Sequence, residues 1–168
     1  LWKAEGAPEP ESSLNPFVDV PAGSWFEKAV LWAVEQGITS GTDACHFSPG
    51  LLCNRATVAT FLWSAAGKPE TAGENPFTDV PAGSWYEMPV RWAKEQGITS
   101  GISDTEFGAA AVCNRAQVVT FLWRAAGCPK PTIRNNPFMD VKETDFYYSA
   151  VLWALENGIT NGISATEF

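Results

Sequence analysis

The sequence predicts an all-α chain assembled from tandem helix–loop–helix units with long structured loops. Three observations carry that prediction. The 27-residue stretch from Asn15 to Gly41 returns from Asn75 to Gly101 with six positions changed, and a more diverged copy runs from Asn136 to Gly162, so the starts lie 60 and then 61 residues apart. Within each copy apolar residues recur at helical spacing, as with Trp25, Ala29, Trp32 and Ala33 on one face. Gly and Pro punctuate the copies at fixed places, where helices stop and connections begin. With 168 residues and 45% hydrophobic content, the chain can bury a substantial core without staples.

The elements follow in order. Ser24 and Glu27 have capping-box spacing at the start of a first helix, and Gly37 supplies its left-handed stop. The second copy keeps Ser84 and Glu87, but Pro89 lies where a helical N–H would soon be needed, which predicts a late start or a kink. In the third copy Asp145 is the expected cap of a helix over residues 146–157, closed by Gly158. A second helix begins at Asn54 or Asn114, where Gln117 adds a capping box, and ends at Gly67 or Gly127 with a proline two residues on. Between the two helices, Gly-Ile-Thr-Ser-Gly and about ten further residues read as a loop holding one short extended segment. Residues 9–14, 70–74 and 130–135 read as exposed linkers.

The two ends are out of phase with the repeat. Leu1–Pro8 aligns with Leu62–Pro69 and Leu122–Pro129, while the third copy reaches Phe168, the equivalent of Phe47 and Phe107. The expected organisation is therefore the tail of a preceding unit (1–8), two units (15–69 and 75–129) and a truncated one (136–168), in a piece of a longer protein. On this reading Val151, Trp153 and Leu155 lack the helix that Asn54 and Asn114 begin, and the 1–8 tail is the segment expected to cover them.

The first two copies share Phe17-Val-Asp-Val20 and Phe77-Thr-Asp-Val80, the Gly-Ile-Thr-Ser-Gly connection, and Asn54-Arg-Ala-Thr57 or Asn114-Arg-Ala-Gln117; the third opens with Phe138-Met-Asp-Val141. These linked motifs resemble the S-layer homology family, with its F-x-D-V opening, G-I-x-x-G connection and T-R-A-E or T-R-A-Q helix start. Asn replaces Thr before both arginines, Thr57 replaces the acidic or amide residue, and Phe107-Gly-Ala lacks the usual proline. The resemblance implies three copies packed around a pseudo-threefold axis, second helices central and ligand grooves between neighbours. It further implies that Arg55 and Arg115 engage an acidic, often pyruvylated, secondary cell-wall polysaccharide, and it places the chain on an exported protein of the bacterial surface.

Read from chemistry alone, Arg55 and Arg115 have two roles open. Each could pair with a carboxylate such as Asp19 or Asp79. Alternatively, a guanidinium beside free helix-start N–H groups makes an anion site, with Gln117 as a polar neighbour. Arg115→Ala is then expected to weaken binding and leave stability nearly unchanged, with Arg55→Ala acting similarly and less strongly. Trp32, Trp92 and Trp153 read as core. Trp25 and Trp85, at helix starts, read as core or as platforms for a sugar ring, with Phe146 substituting in the third copy. Gly41, Gly101 and Gly162 allow a turn and, by the family's groove, the approach of a saccharide. Asp19, Asp79 and Asp140 are expected to satisfy loop N–H groups.

A net charge of −8 excludes an ordinary nucleic-acid binder, and no apolar run approaches a membrane span. Any acidic ligand must be held by local cations against the overall field. No His/Cys spacing suggests a metal, and His46 is the single histidine. Of the four cysteines, Cys45 and Cys53 could close a short loop; otherwise they, Cys113 and Cys128 read as buried free thiols. No Ser/His/Asp or Cys/His set repeats and no phosphate-binding glycine loop is present, so no catalysis and no cofactor is expected of this chain. The expectation is a non-catalytic wall-anchoring module whose partner is the polysaccharide. The rival is an assembly module packing against other copies or surface-layer neighbours.

Overall fold

A computed structural model describes residues 1–168 as five α-helices joined by long loops, with no strand. Helices α1 (Glu27–Glu35), α3 (Glu87–Glu95) and α5 (Tyr148–Glu156) are the first helices of the three copies. Helices α2 (Arg55–Ala65) and α4 (Arg115–Ala125) are the second. The extended segment reduces to one antiparallel bridge between Asn54 and Val112.

The first helices begin later than their capping signals suggest. Ser24 does not cap α1: its hydroxyl has no partner, and Glu27 accepts instead from the Gly23 N–H at 2.7 Å. A turn, in which the Glu27 N–H donates to the Ser24 carbonyl, intervenes between signal and helix. Asp145 likewise accepts from the Lys142 N–H and leaves the start of α5 uncapped by a side chain. Pro89 causes neither a late start nor a kink, because α3 begins at the position equivalent to α1. Its missing N–H falls in the first turn, where no intrahelical acceptor exists. The second helices follow their signals: Asn54 accepts from the Thr57 N–H, and Asn114 and Gln117 form the reciprocal box. Gly67 and Gly127 then take positive φ past the last turn.

Packing is staggered relative to the repeat. Helix α2 packs on α3 and α4 on α5, so each second helix takes the first helix of the following copy as partner, while α2 also meets α4. Fully buried Ala59, Ala93, Ala150 and Ala154 put no bulk in the core these helices share. This corrects the expectation for α5. Val151 and Trp153 are buried in the main core, to which α4 contributes Val119, Phe121 and Leu122. Helix α1 meets no other helix and sits over a small cluster of Phe17, Val20 and Val30. The N-terminal tail shares a cleft with Trp32, Gln36 and Ser64, while its Leu1 packs against the main core that holds Val151 and Trp153. Trp2, Trp63 and Trp123 make one recurring staple, each indole donating to the carbonyl of Pro8, Pro69 or Pro129 at 2.8, 2.9 and 2.9 Å.

The opening motif ties each loop to its helix. Phe17, Phe77 and Phe138 meet Phe47, Phe107 and Phe168 with ring centres 5.8, 5.7 and 5.8 Å apart. Asp79 accepts N–H bonds from Phe107, Gly108 and Ala109 at 2.7, 2.7 and 3.1 Å. Asp19 does the same for Phe47 and Ser48, and Asp140 for Phe168. Desolvation pushes the Asp79 carboxyl up, but the loop N–H groups outweigh it and hold it below the ordinary carboxylate range; Asp19 behaves alike. A carboxyl whose folded pKa is depressed contributes stability above its unfolded pKa, and that contribution is lost as pH falls through the folded value. Thermal unfolding followed by circular dichroism should therefore show a midpoint that drops below about pH 4. Asp79→Asn should flatten that drop; an unchanged acid limb would remove Asp79 from the account.

Candidate functional site

The staggered packing leaves grooves between copies, and one of them brings Arg55 of the first copy against the loop and second helix of the second. Arg55 enters it from the first turn of α2. The Thr99-Ser100-Gly101 connection forms one wall, Gln117, Phe121 and Arg124 of α4 form another, and Phe146 closes the third side. The groove encloses about 320 Å³, the lower part of the range for small-molecule sites.

Arg55 is 7% exposed and makes no ion pair, so the carboxylate pairing is not what holds it. Its Nε donates to the Phe107 carbonyl at 2.8 Å and one terminal nitrogen to the Thr99 hydroxyl at 3.2 Å. The guanidinium lies over Phe107 and Phe121, 4.8 and 5.1 Å from the ring centres. Burial lowers its pKa, nearby Cys113 and Asp79 oppose this and Arg124 adds to it, yet an arginine remains charged throughout. Arg124 donates to the Ile98 carbonyl at 3.3 Å. Two guanidinium groups thus share a groove lined by no carboxylate, in a chain of 19 acidic and 11 basic residues.

The other junctions repeat the plan with different parts. In one, Thr39-Ser40-Gly41 faces Phe61 and Ser64 of α2, with Trp85 in the place of Phe146 and Lys68 as the cation. In the other, the exposed Arg115 donates to the Thr160 hydroxyl at 3.2 Å and lies 5.0 Å from the Phe168 ring centre. Neither groove is lined by a carboxylate.

The remaining expected residues fall as follows. Gln117 lines the main groove while its carbonyl oxygen accepts from the Asn114 N–H. Trp25 is 89% exposed and edge-on to Phe26, and Trp85 is 61% exposed; neither belongs to the core. Trp32, Trp92 and Trp153 are buried. Cys45, Cys53 and Cys128 are exposed and Cys113 half-buried, against the expectation of buried thiols. Arg124 escaped sequence reasoning because Ser64 occupies its place in the first copy. Its signal was the i, i+4, i+7 spacing from Gln117 through Phe121, one face of α4.

Gly41, Gly101 and Gly162 have positive φ, and their own loops supply the reason for glycine. A Cβ at Gly101 would lie 2.5 Å from the Ser103 carbonyl oxygen and 2.6 Å from both the Glu106 carbonyl oxygen and the Phe77 ring. At Gly97, which stops α3, a Cβ meets nothing within 4 Å. Gly101→Ala should therefore cost about 3 kcal/mol, backbone strain plus overpacking, and Gly97→Ala about 1 kcal/mol. Urea unfolding of the two variants checks this, and equal losses would remove the steric argument.

A family model described as the S-layer homology domain matches residues 16–59, 76–119 and 137–168. The chain is 30% identical over 117 residues to an endoglucanase of Bacillus sp. (strain KSM-635), covering 70% of this chain and 12% of the relative. It is 30% identical over 111 residues to the surface-layer 125 kDa protein of Lysinibacillus sphaericus, covering 66% of this chain and 9% of the relative. With a cell surface protein of Thermoanaerobacter kivui it shares 23% identity over 158 residues, 91% of this chain and 19% of the relative. The chain thus spans 9–19% of the length of these relatives.

Proposed function

Because the chain belongs to the S-layer homology domain family, we propose that it is a non-catalytic anchoring module of a bacterial surface protein. It holds an acidic secondary cell-wall polysaccharide, pyruvylated on its sugars, in the grooves between its copies. The observation that carries this reading is electrostatic: each groove has a cation and no lining carboxylate, although the chain is strongly acidic. The overall field repels a polyanion, and the groove cations, Arg55 with Arg124, Arg115 and Lys68, hold it locally.

Of the five N–H groups of Arg55, two are spent on Phe107 and Thr99, which fixes the plane of the fork. The others grip a ketal carboxylate bidentately, and the low-dielectric groove strengthens that bond. Ser100 and Gln117 supply hydrogen bonds to sugar hydroxyls, and the rings of Phe146 and Trp85 stack on the apolar faces of sugars. The copies, at 15–69, 75–129 and 136–168 with the 1–8 tail, pack around a pseudo-threefold axis with α2 and α4 nearest it. Catalysis in the parent protein, if it has any, is the work of other segments.

Equilibrium binding to purified wall polymer, before and after mild acid removal of its ketal acids, tests the reading. The native polymer should bind and the stripped polymer should bind more than about tenfold more weakly, the loss of one charged hydrogen-bonded contact. Equal binding of the two would overturn the acid-recognition part, and binding of neither would overturn the anchoring role.

A further inference from the structure

The first two copies place a cysteine immediately before each asparagine cap, at Cys53 and Cys113, and the fold sets these two residues opposite each other. Asn54 and Val112 form an antiparallel bridge, so Cys53 and Cys113 are the next pair along it. The Cys113 N–H donates to the Cys53 carbonyl at 2.9 Å, and one step away the Arg55 N–H donates to the Ala111 carbonyl at 2.9 Å. Directly opposed residues in such a pair have Cα atoms about 5.5 Å apart, within the span of a disulfide. Opposed residues of this kind generally have Cβ atoms about 4.5–5.5 Å apart against the ~3.8 Å a disulfide needs, so closure draws the two segments together by about an ångström. Both cysteines are free thiols, and Leu52 and Val112 beside them are exposed, so an oxidant can reach the pair.

We infer that Cys53 and Cys113 form a disulfide that ties the first copy to the second just before α2 and α4, where Cys113 also lines the Arg115 groove. Although Cys53 is exposed by surface area, partial desolvation by the packed segments around the pair pushes both thiol pKa values up; for Cys113, Arg55 opposes this and the neighbouring Cys53 adds to it. The co-reactant is a disulfide, small-molecule or protein. One cysteine thiolate attacks a sulfur of that disulfide and expels a thiol, and the other cysteine attacks the mixed disulfide and expels the second. Two protein thiols and one disulfide become one protein disulfide and two thiols; the protein sulfurs are oxidised and the reagent is reduced. The new bond closes a loop of about sixty residues spanning α2 and α3, among the more stabilising lengths in the loop-entropy account. It also competes for Cys53 with the short Cys45–Cys53 loop. The inference is independent of what the grooves bind.

The test equilibrates the chain with oxidised glutathione, then combines thiol titration, peptide mapping under non-reducing conditions and thermal unfolding with and without reductant. The expected result is two thiols lost, peptides carrying Cys53 and Cys113 joined within one chain, and a melting temperature about 5–15 °C higher than in the reduced form. Cys45→Ser should change none of this, while Cys53→Ser should return the Cys113 thiol and abolish the difference in melting temperature. Four titratable thiols after oxidation, Cys53 joined to Cys45, or a bond between chains would each overturn the inference.

Discussion

Arg55→Ala is expected to weaken binding to the wall polymer by about 2–3 kcal/mol, roughly 30- to 150-fold, the scale of a charged hydrogen-bonded contact removed from a buried site. Sequence reasoning ranked this variant behind Arg115→Ala, and the burial and contacts of Arg55 lead us to expect the opposite order. Arg55 is buried between two aromatic rings, with its plane fixed by Phe107 and Thr99, whereas Arg115 is exposed and held by one bond to Thr160. Removing Arg55 also leaves the Phe107 carbonyl without its donor, so about 1–2 kcal/mol of stability should go with the affinity. Arg55→Lys separates the two effects. It keeps the charge but loses the fork and the stacking plane, and should bind nearly as poorly as Arg55→Ala. Titration calorimetry of the three proteins, at a temperature where all are folded, decides the matter. Full affinity in Arg55→Lys would mean that the groove reads charge alone.

The same residue shows what a sequence of this kind can and cannot convey. Asn54, Asn114 and Gln117 announced their helix starts because a cap acts on the three residues that follow it. Asp79 was legible as a loop anchor because short carboxylates serve nearby N–H groups. Ser24 and Asp145 misled, since capping spacing fits a turn before a helix as well as the helix itself. The staggered pairing of α2 with α3 and α4 with α5 was invisible, because repetition defines a period and not where the packed unit begins. Without that pairing, Arg124 and Phe146 could not be placed in one groove with Arg55, and no periodicity in one helix reports a neighbour from another copy. Cys53 and Cys113 occupy equivalent places in the repeat, but equivalence says nothing of proximity. The bridge at Asn54 and Val112 supplies it.

Trp92→Ala should cause the largest loss of stability of any single change considered, about 3–5 kcal/mol, as expected for truncating a large aromatic in a core. Trp92 is 8% exposed and belongs to the main cluster, which joins α2 and α3 with α4 and α5. The void it leaves has no ready means of collapse, because Ala93 and Val90 beside it are already fully buried and interiors are close-packed. Trp85 provides the internal contrast: seven residues earlier and 61% exposed, it should cost under about 1 kcal/mol when truncated, while weakening polymer binding if its ring stacks on a sugar. Urea unfolding followed by far-ultraviolet circular dichroism gives both stabilities without relying on tryptophan emission. The staggered packing adds a spatial signature, since amide exchange in Trp92→Ala should accelerate in α2, the partner of α3, before it does in α1, which meets neither. Similar losses for the two variants, or acceleration confined to the variant's own copy, would contradict the packing that builds the grooves.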